Sequence, residues 1–397
     1  MFRYIGNKTR LLPFLLQRIR SLIGERGVVA DIMAGTGCVS AELRRRGYTV
    51  IASDIMTYSY HHLRSQLLLA EAPSFSGLQK EIVGFTSNCY EKVIEYLNGL
   101  KPIKGFFFTE YSEAGSPRNG SPPRKYFSPE NAARIDAIRT QLTNWLTCGR
   151  LTPDEESLLK HTLILAVNDV ANISGTYGYF LSSYKANALS PMVMNRIEFI
   201  RDNPLGHRVL RGFAEDLSKE IEADLCYIDP PYMKRQYAAN YHMLETLARG
   251  DSPDDLIGKS GLRNWWPQHS KLCTKTRGRD SFKQIIAEMK CPKFLVSYSE
   301  DGLFKLDELV ALFEQFGRVD VERIEYNRFR SNQSQLSKTL SEYLISIERN
   351  YSWIRFNRYF SVKSIPQISA TCIVLLCLLQ EVGRHTLKRL VSLMIHL

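Results

Sequence analysis

The four residues Asp229-Pro230-Pro231-Tyr232 constrain the fold more than any other stretch of this 397-residue chain. They follow the short apolar run Leu225-Cys226-Tyr227-Ile228. A run of this length, closed by two prolines, predicts a buried strand whose C-terminal end opens into a rigid turn. In an open parallel sheet, ligands bind in the crevice beyond the carboxyl ends of the strands. The sequence therefore predicts a pocket for a flat, amine-bearing group, in which Asp229 accepts hydrogen bonds and Tyr232 offers a stacking face. The alternative is a structural turn, in which Asp229 is a cap and Tyr232 covers the edge of the core.

A glycine-rich turn near the N-terminus predicts a second part of the same site. The β-rich run 28–33 precedes Ala34-Gly35-Thr36-Gly37 and a helical stretch through Leu43. Strand, glycine turn and helix in this order let the backbone approach a ligand at the helix N-terminus. A second strand ends at Asp54, close to the ~20-residue spacing at which a carboxylate meets ribose hydroxyls. This order favours a nucleoside-containing cofactor over a plain turn, and the missing later glycines disfavour a dinucleotide.

The segment Tyr4-Ile5-Gly6-Asn7-Lys8 precedes a predicted helix from Thr9 to about Ile23. A glycine, an amide and a lysine just before a helix can bind a carboxylate through backbone N–H groups and the ammonium. The alternative is a disordered start with a solvated lysine.

The alternation of strands and helices divides the chain into four parts. We expect a cofactor-binding part at 1–87, an inserted helical domain at 88–207, a catalytic part at 208–350 and a C-terminal extension at 351–397. Runs 319–326 and 343–348 predict a closing β pair. The apolar run 368–379 is shorter than the ~20 residues of a membrane span, so no membrane association is expected.

The formal charge of +11 suits a polyanionic partner, nucleic acid first, although a merely basic enzyme is the alternative. Two basic segments are candidates for phosphate contacts, unless they are ordinary surface loops. The first lies in the helical insertion and the second follows the Asp-Pro-Pro-Tyr stretch; their cations are Arg118, Arg124 and Lys125, and Lys271, Lys275 and Arg277. Arg44-Arg45-Arg46, at the end of the first crossover helix, are expected to be solvated.

The eight cysteines include no Cys-x-x-Cys pair, and the histidines do not complete a zinc spacing. This pattern favours reduced thiols without a metal. The first residues contain no apolar signal core, so a cytoplasmic protein is expected.

The ordered set of Tyr4–Lys8, Asp31–Gly37, Asp54 and Asp229–Tyr232 resembles the Dam-like DNA adenine N6-methyltransferases of restriction–modification systems over residues 1–350. One departure is Met33, where many relatives carry an aromatic residue. The resemblance implies an α/β fold. It consists of a Rossmann-like methyltransferase sheet, mostly parallel with one antiparallel strand near the C-terminus, and an inserted helical target-recognition domain.

The resemblance also implies S-adenosylmethionine as cofactor. Asp31, Gly35 and Gly37 would line its methionine end, Lys8 would lie near its carboxylate and Asp54 would hold the ribose hydroxyls. Tyr4 and Ala34 would complete this surface, and Asp216 would approach the cofactor adenine. On the substrate side, Asp229 and the carbonyl of Pro230 would accept the amine hydrogens of a flipped adenine. Pro231 would fix the turn and Tyr232 would stack on the base.

The implied function is sequence-specific methylation of adenine N6 in double-stranded DNA by a monomer, with a cognate restriction endonuclease as a possible partner. Two alternatives stay open. An RNA or cytosine N4 amino-methyltransferase is one, because nothing in the sequence reports the 2′-hydroxyl group. A DNA-binding protein with a vestigial cofactor fold is the other.

Overall fold

The computed structural model describes residues 4, 6–82, 84, 89–202, 206–327 and 339–349. The predicted C-terminal extension and the predicted domain boundary at 87–88 lie outside these ranges. None of the helices within them is long and apolar enough to cross a membrane.

The strands of the described residues form one sheet in the order β3-β2-β1-β4-β5-β7-β6. Their bounds are β1 Val28–Asp31, β2 Thr49–Asp54, β3 Arg208–Arg211, β4 Leu225–Ile228, β5 Lys293–Ser299, β6 Gly317–Asn327 and β7 Thr339–Arg349. All neighbours from β3 to β5 pair in parallel, whereas β7 is antiparallel to both β5 and β6. The predicted fold class, with its single antiparallel strand near the C-terminus, is confirmed.

Helices flank this sheet and fill the segment between β2 and β3. They are α1 Leu12–Ile23, α2 Cys38–Arg45, α3 Thr57–Leu67, α4 Cys89–Asn98, α5 Phe106–Tyr111, α6 Pro129–Thr147, α7 Pro153–Val170, α8 Ala186–Leu189, α9 Ala214–Leu217, α10 Tyr237–Asn240, α11 His242–Arg249, α12 Lys275–Glu288 and α13 Leu306–Phe313. Two long helices have clear start signals. Ser128 accepts a hydrogen bond from the Asn131 backbone N–H ahead of α6, and Thr152 forms a capping box with Glu155 ahead of α7.

Strand β4 lies at the centre of the sheet and is buried at all four positions. Leu225 and Tyr227 pack into the apolar layer that contains α1, α2 and α3. Cys226 and Ile228 pack into the opposite layer, which contains α12 and α13. Burial of both faces explains the continuous apolar run, and each such side chain contributes about 1.5–3 kcal/mol.

The register brings three acidic residues to one edge of the sheet. Asp31, the last residue of β1, pairs with Ala52 of β2 and with Tyr227 of β4. Asp54 and Asp229 each follow their paired residue by two positions. Because the three strands are parallel neighbours, their carboxyl ends face the same crevice.

The helices between β2 and β3 share one apolar core with elements on both sides of the predicted insertion. This core contains Trp145 of α6, Leu163 of α7, Tyr58 of α3 and Leu244 of α11. The segment is helical, as predicted, and packs continuously with α3 and α11. Its role in target recognition stays a prediction.

Arg44 corrects the expectation of a solvated arginine triplet. Its side chain is buried, and its guanidinium donates to the backbone carbonyls of Gln66, Leu69 and Ile200 and pairs with Asp202. The end of α2 is thereby fixed to the chain that follows α3 and to the segment that precedes β3.

Arg124 corrects the prediction that it contacts phosphate. Its side chain is 0% exposed and lies 2.8 Å from the carboxylate of Glu110, which is also buried. It donates further hydrogen bonds to the backbone carbonyl of Lys259, 2.9 Å away, and to the side chain of Asn119, also 2.9 Å away. Arg124 therefore joins the polar loop of the insertion to the segment after α11.

We predict that Arg124→Met lowers the free energy of unfolding by about 3–5 kcal/mol, because it leaves the Glu110 carboxylate buried without its partner. Lys125→Met is the matched control, since Lys125 is partly exposed and lies 3.7 Å from an exposed Glu113 carboxylate. The control should change stability by less than about 1 kcal/mol. Denaturant unfolding of both variants measures the difference, and equal stabilities would contradict a structural role for Arg124.

Candidate active site

One cavity lies at the carboxyl edge of the sheet and joins the two predicted halves of the site. The N-terminal segment, the glycine turn, the end of β2, the Asp-Pro-Pro-Tyr turn and the chain around Gln236 and Gln268 all contribute to its wall. Among its lining residues are Tyr4, Lys8, Asp31, Ala34, Gly35, Asp54, Asp229 and Pro231. Eight of the residues expected from the sequence thus meet at one cavity, although their positions in the chain are far apart.

The glycine turn is shaped by backbone conformations that favour glycine. Gly35 and Gly37 have φ values of +54° and +77°. A Cβ atom on Gly35 would lie 3.1 Å from the ring of Tyr4, so a larger residue would be strained and crowded. The Gly35 backbone N–H donates to Asp54 Oδ2 at 2.9 Å, and the Met56 N–H donates to Oδ1 at 2.8 Å. The ends of β1 and β2 are therefore held together through one carboxylate.

Asp31 and Asp54 are carboxylates in a poorly solvated site. Burial raises the pKa of Asp54 to about 6, although its backbone hydrogen bonds lower it. Burial also raises the pKa of Asp31 to about 7, against the effect of the Ser40 hydroxyl, which donates to Asp31 Oδ2 at 2.6 Å. The other carboxylate oxygen of Asp31 is buried and accepts no hydrogen bond from the described residues. That oxygen is suited to a cationic donor supplied by a ligand.

Tyr4 forms part of the cavity wall next to the glycine turn. Its ring stacks on that of Tyr241 with centroids 4.5 Å apart, and its hydroxyl lies 3.2 Å from the hydroxyl of Tyr58. These contacts hold the ring through two residues that are not among those lining the cavity.

The Asp-Pro-Pro-Tyr turn is bound to the N-terminal segment by a buried ion cluster. The Lys8 ammonium lies 2.8 Å from Asp229 Oδ1 and 3.3 Å from Glu342 Oε1. It also donates to the Tyr232 hydroxyl and lies 4.6 Å from the centre of that ring. Burial alone would lower the pKa of Lys8, but its attraction to the two carboxylates outweighs burial and raises it. Burial raises the pKa of Asp229, while Lys8 lowers it and Glu342 raises it.

Lys8 and Tyr232 have contacts that the sequence did not anticipate. The ammonium of Lys8, expected near a cofactor carboxylate, is engaged by two protein carboxylates. The Tyr232 ring packs edge-on against Tyr298, with centroids 5.4 Å apart, and its hydroxyl points into the ion cluster. Tyr232 borders this cluster rather than the cavity, so its stacking on a base stays a prediction.

Asp216 does not line the cavity, so its predicted approach to the cofactor is corrected. The chain passes the cavity at Gly212–Glu215, and Asp216 on the next position of α9 is exposed. Glu215 faces inward instead, where it accepts a hydrogen bond from the Ser281 hydroxyl at 2.7 Å. Glu215 and Asp216 are adjacent acids in a short helix, and the sequence did not indicate which of the two faces inward.

The remaining basic residues that were predicted to contact DNA lie at the surface. Lys271 lies in a short 3₁₀ helix, and Lys275 and Arg277 lie in the first turn of α12 rather than in a loop. Arg118 is half-exposed and pairs with Asp254, whereas Lys275 pairs with Glu308 at 2.7 Å. Their contact with DNA stays a prediction.

Sequence reasoning missed an aromatic surface beside the cavity. The near-parallel rings of Trp265 and Trp266 have centroids 4.7 Å apart, and His269 stacks 5.4 Å from Trp266. Trp266 is 63% exposed, and its near neighbours Gln268 and Ser270 line the cavity. The adjacent tryptophans in the sequence were the available signal.

Several known methyltransferases have sequences similar to this chain. Type II methyltransferase M.NlaIII of Neisseria lactamica is 32% identical over 355 residues, which cover 88% of this chain and 99% of that protein. Type II methyltransferase M.FokI of Planomicrobium okeanokoites is 31% identical over 388 residues, covering 96% of this chain and 55% of that protein. Modification methylase LlaI of Lactococcus lactis subsp. lactis is 34% identical over 358 residues, covering 88% and 55% respectively. The chain thus spans about half the length of two of these relatives and nearly all of the other.

A solved structure from Pyrococcus horikoshii, described as an RNA methyltransferase, aligns over 88% of each chain with 9% identity and a TM-score of 0.29. That similarity is too low to carry an argument about the fold or the substrate.

Residues 4–326 match the family of D12 class N6 adenine-specific DNA methyltransferases. The match includes the N-terminal segment, the glycine turn and the Asp-Pro-Pro-Tyr turn, and it confirms the resemblance drawn from those motifs. This chain belongs to the D12 class N6 adenine-specific DNA methyltransferase family.

Proposed function

We propose that this protein transfers a methyl group from S-adenosylmethionine to the N6 amine of adenine in specific sequences of double-stranded DNA. The observation that carries the proposal is the shared cavity. It is lined by Asp31, Gly35 and Asp54 on one side and by Asp229 and Pro231 on the other. Methyl transfer needs a donor and an acceptor in contact, and positioning of the two accounts for a large part of such catalysis.

The donor side of the cavity has groups that fit S-adenosylmethionine. The free carboxylate oxygen of Asp31 would accept from the ammonium group, and Asp54 would accept from the ribose hydroxyls. The positive φ of Gly35 lets the backbone approach the ligand without a side chain in the way. S-adenosylmethionine, when bound, supplies a methyl group on a positively charged sulfur.

The acceptor side is built to hold an amine. A base inside a duplex cannot reach a buried donor, so the target adenine must leave the helix at a cost of a few kcal/mol. Asp229 and the backbone carbonyl of Pro230 would accept the two N6 hydrogens, and Tyr232 would stack on the ring. These hydrogen bonds direct the nitrogen lone pair toward the methyl group and stabilise the positive charge that develops on the nitrogen.

We assign DNA contacts to the surface around the cavity mouth. Lys271 and Arg277 are exposed a short distance beyond Ser270, a cavity residue, and suit phosphate contacts. The exposed face of Trp266 suits stacking against an unpaired base near the extruded adenine. Arg118 and Lys125 contribute only if they exchange their acidic partners for phosphate. A monomer is proposed.

The names of the relatives favour a role in host-DNA protection. M.NlaIII and M.FokI are named type II methyltransferases, and LlaI is named a modification methylase. We therefore propose a restriction–modification context with a cognate endonuclease. An RNA or cytosine N4 amine is the second candidate substrate, because the Asp229 turn accepts from any such amine.

Asp229→Asn should abolish methyl transfer to DNA and leave cofactor affinity nearly unchanged. Asparagine has the same shape, but it lacks the charge that balances Lys8 and that receives the amine hydrogens. The assay is tritium transfer to plasmid DNA, followed by digestion to nucleosides and mass spectrometry, with calorimetry of cofactor binding in parallel.

The exposed Glu300→Gln, beyond the end of β5, is the control and should retain full transfer. N6-methyldeoxyadenosine as the product is expected, N4-methyldeoxycytidine would select the second candidate, and full activity of Asp229→Asn would contradict the role of Asp229.

Cofactor affinity should fall as the pH drops through about 7, the pKa of Asp31, because only the ionised carboxylate binds an ammonium group. The dissociation constant should rise by up to about tenfold per pH unit below that value. Ser40→Ala removes the hydroxyl that stabilises the ionised form, which raises the pKa of Asp31 further and moves the transition to higher pH. Calorimetry with S-adenosylhomocysteine over this pH range measures both effects, and a pH-independent affinity in both proteins would rule out the Asp31 contact.

A further inference from the structure

Glu342 is an acid buried in the interior of the sheet, at 1% exposure, on a strand whose next positions, Tyr343 to Ile347, carry no charge. It lies in β7, where it pairs with Ser299 of β5 and Ile324 of β6. Because β7 runs antiparallel to the other strands, its first residues lie at the same edge as the carboxyl ends of β4 and β5. The one strand of reversed direction therefore delivers a carboxylate to the active-site edge.

Three donors converge on a single oxygen of this carboxylate. Glu342 Oε1 lies 2.6 Å from the Tyr232 hydroxyl, 2.5 Å from the Ser297 hydroxyl and 3.3 Å from the Lys8 ammonium. Oε2 is buried and accepts no hydrogen bond from the described residues. Such a concentration of donors holds the carboxylate in one orientation.

The Tyr232 hydroxyl faces two acceptors at the same distance. It lies 2.6 Å from Asp229 Oδ1 and 2.6 Å from Glu342 Oε1. A phenol has one hydrogen to donate, so with both carboxylates ionised it serves only one of them at a time. When the hydroxyl donates to Glu342, Asp229 Oδ1 keeps its contact with Lys8 but loses one competing donor, which leaves acceptor capacity for an incoming amine.

Glu342 also shares the Lys8 ammonium with Asp229. Lys8 lies between the two carboxylates, so neither forms a one-to-one pair with it. A one-to-one pair with Lys8 would make Asp229 a weaker acceptor, since part of its charge would be neutralised. The second carboxylate therefore keeps Asp229 more basic than it would be alone.

We propose that Glu342 is a positioning residue for methyl transfer, which draws the Tyr232 hydroxyl and part of the Lys8 charge away from Asp229 so that Asp229 can accept the amine hydrogens. Glu342 acts through these neighbours and does not touch the substrate. The inference rests on the proposed function and adds a residue outside the Asp-Pro-Pro-Tyr stretch to it.

The test compares Glu342→Gln with Glu348→Gln, a control at an exposed position of the same strand. We expect the turnover number of Glu342→Gln on DNA to fall by up to about a hundredfold, the cost of a small misplacement of a reacting group. The affinity for S-adenosylhomocysteine, measured by calorimetry, should be unchanged within error. Glu348→Gln should match the wild type in both measurements.

The pH profile of turnover separates this role from a purely structural one. Asp229 is faced by Lys8, by Glu342, and by Asp31, Tyr227, Tyr232 and Tyr237 from the surrounding elements. Removal of the negative charge of Glu342 lowers the pKa of Asp229, so the acidic limb of the profile should move to lower pH in Glu342→Gln. Ser297→Ala, which removes one donor to Oε1, keeps the charge and should leave the limb close to its wild-type position.

Wild-type turnover and an unshifted limb in Glu342→Gln would overturn the proposal, as would a loss seen only in thermal stability or cofactor affinity. If Glu342→Gln does not fold, Ser297→Ala decides, with a several-fold lower turnover expected and full turnover overturning the proposal. Absence of N6-methyladenine with the wild-type protein would instead overturn the proposed function itself.

Discussion

The buried ion cluster of Lys8, Asp229 and Glu342 is the interaction on which the architecture of the site depends. It joins the N-terminal segment, the turn after β4 and the antiparallel strand β7 through their side chains. Two negative charges and one positive charge in a poorly solvated site leave a net negative charge next to the cavity. Such an arrangement is costly in isolation. It is understandable under the proposed function, in which the site receives a positively charged donor and stabilises charge developing on an amine.

The order β2-β1-β4 provides the second constraint. Three parallel strands end side by side. The turns after β1 and β4 are specified by glycine and proline respectively, and β2 ends at Asp54. The Gly35 N–H bond to Asp54 connects the turn after β1 to the end of β2, and Lys8 connects the turn after β4 to the N-terminal segment. The donor and acceptor sides of the cavity are therefore rigidly spaced by backbone geometry, which is what a reaction governed by positioning requires.

Much of this arrangement was accessible from the sequence, because strand ends carry strong local signals. The run before Asp229, the glycine turn and the acid at Asp54 lie within a few residues of where the structure has them. Long-range burial was not accessible in the same way. Arg124 and Arg44 look like solvated cations in the sequence, and only their distant partners Glu110 and Asp202 reveal that they are structural. The prediction that Asp216 approaches the cofactor was corrected for a different reason. Neighbouring residues of a helix point about 100° apart, so a shift of one position changes which side chain faces the cavity.

Glu342 is a second case in which long-range contacts could not be predicted from the sequence. An acid in the middle of a strand pattern is an anomaly that a reader of the sequence can notice, but its partners Lys8 and Tyr232 are far away in the chain. The aromatic surface at Trp266 was equally visible as two adjacent tryptophans, and only its proximity to Ser270 connects it with the cavity. In both cases the residue type was a signal, and the missing information was which part of the fold it faced.

The position of Glu342 on a late strand has a consequence for biosynthesis. Lys8 leaves the ribosome early, whereas β7 is made only after every other strand of the sheet. A nascent chain that ends before β7 has a completed glycine turn and a completed Asp-Pro-Pro-Tyr turn, but its Lys8 has a single carboxylate partner. If Glu342 has the proposed positioning role, competence for methyl transfer is acquired only once β7 has been made, after the glycine turn and the Asp-Pro-Pro-Tyr turn.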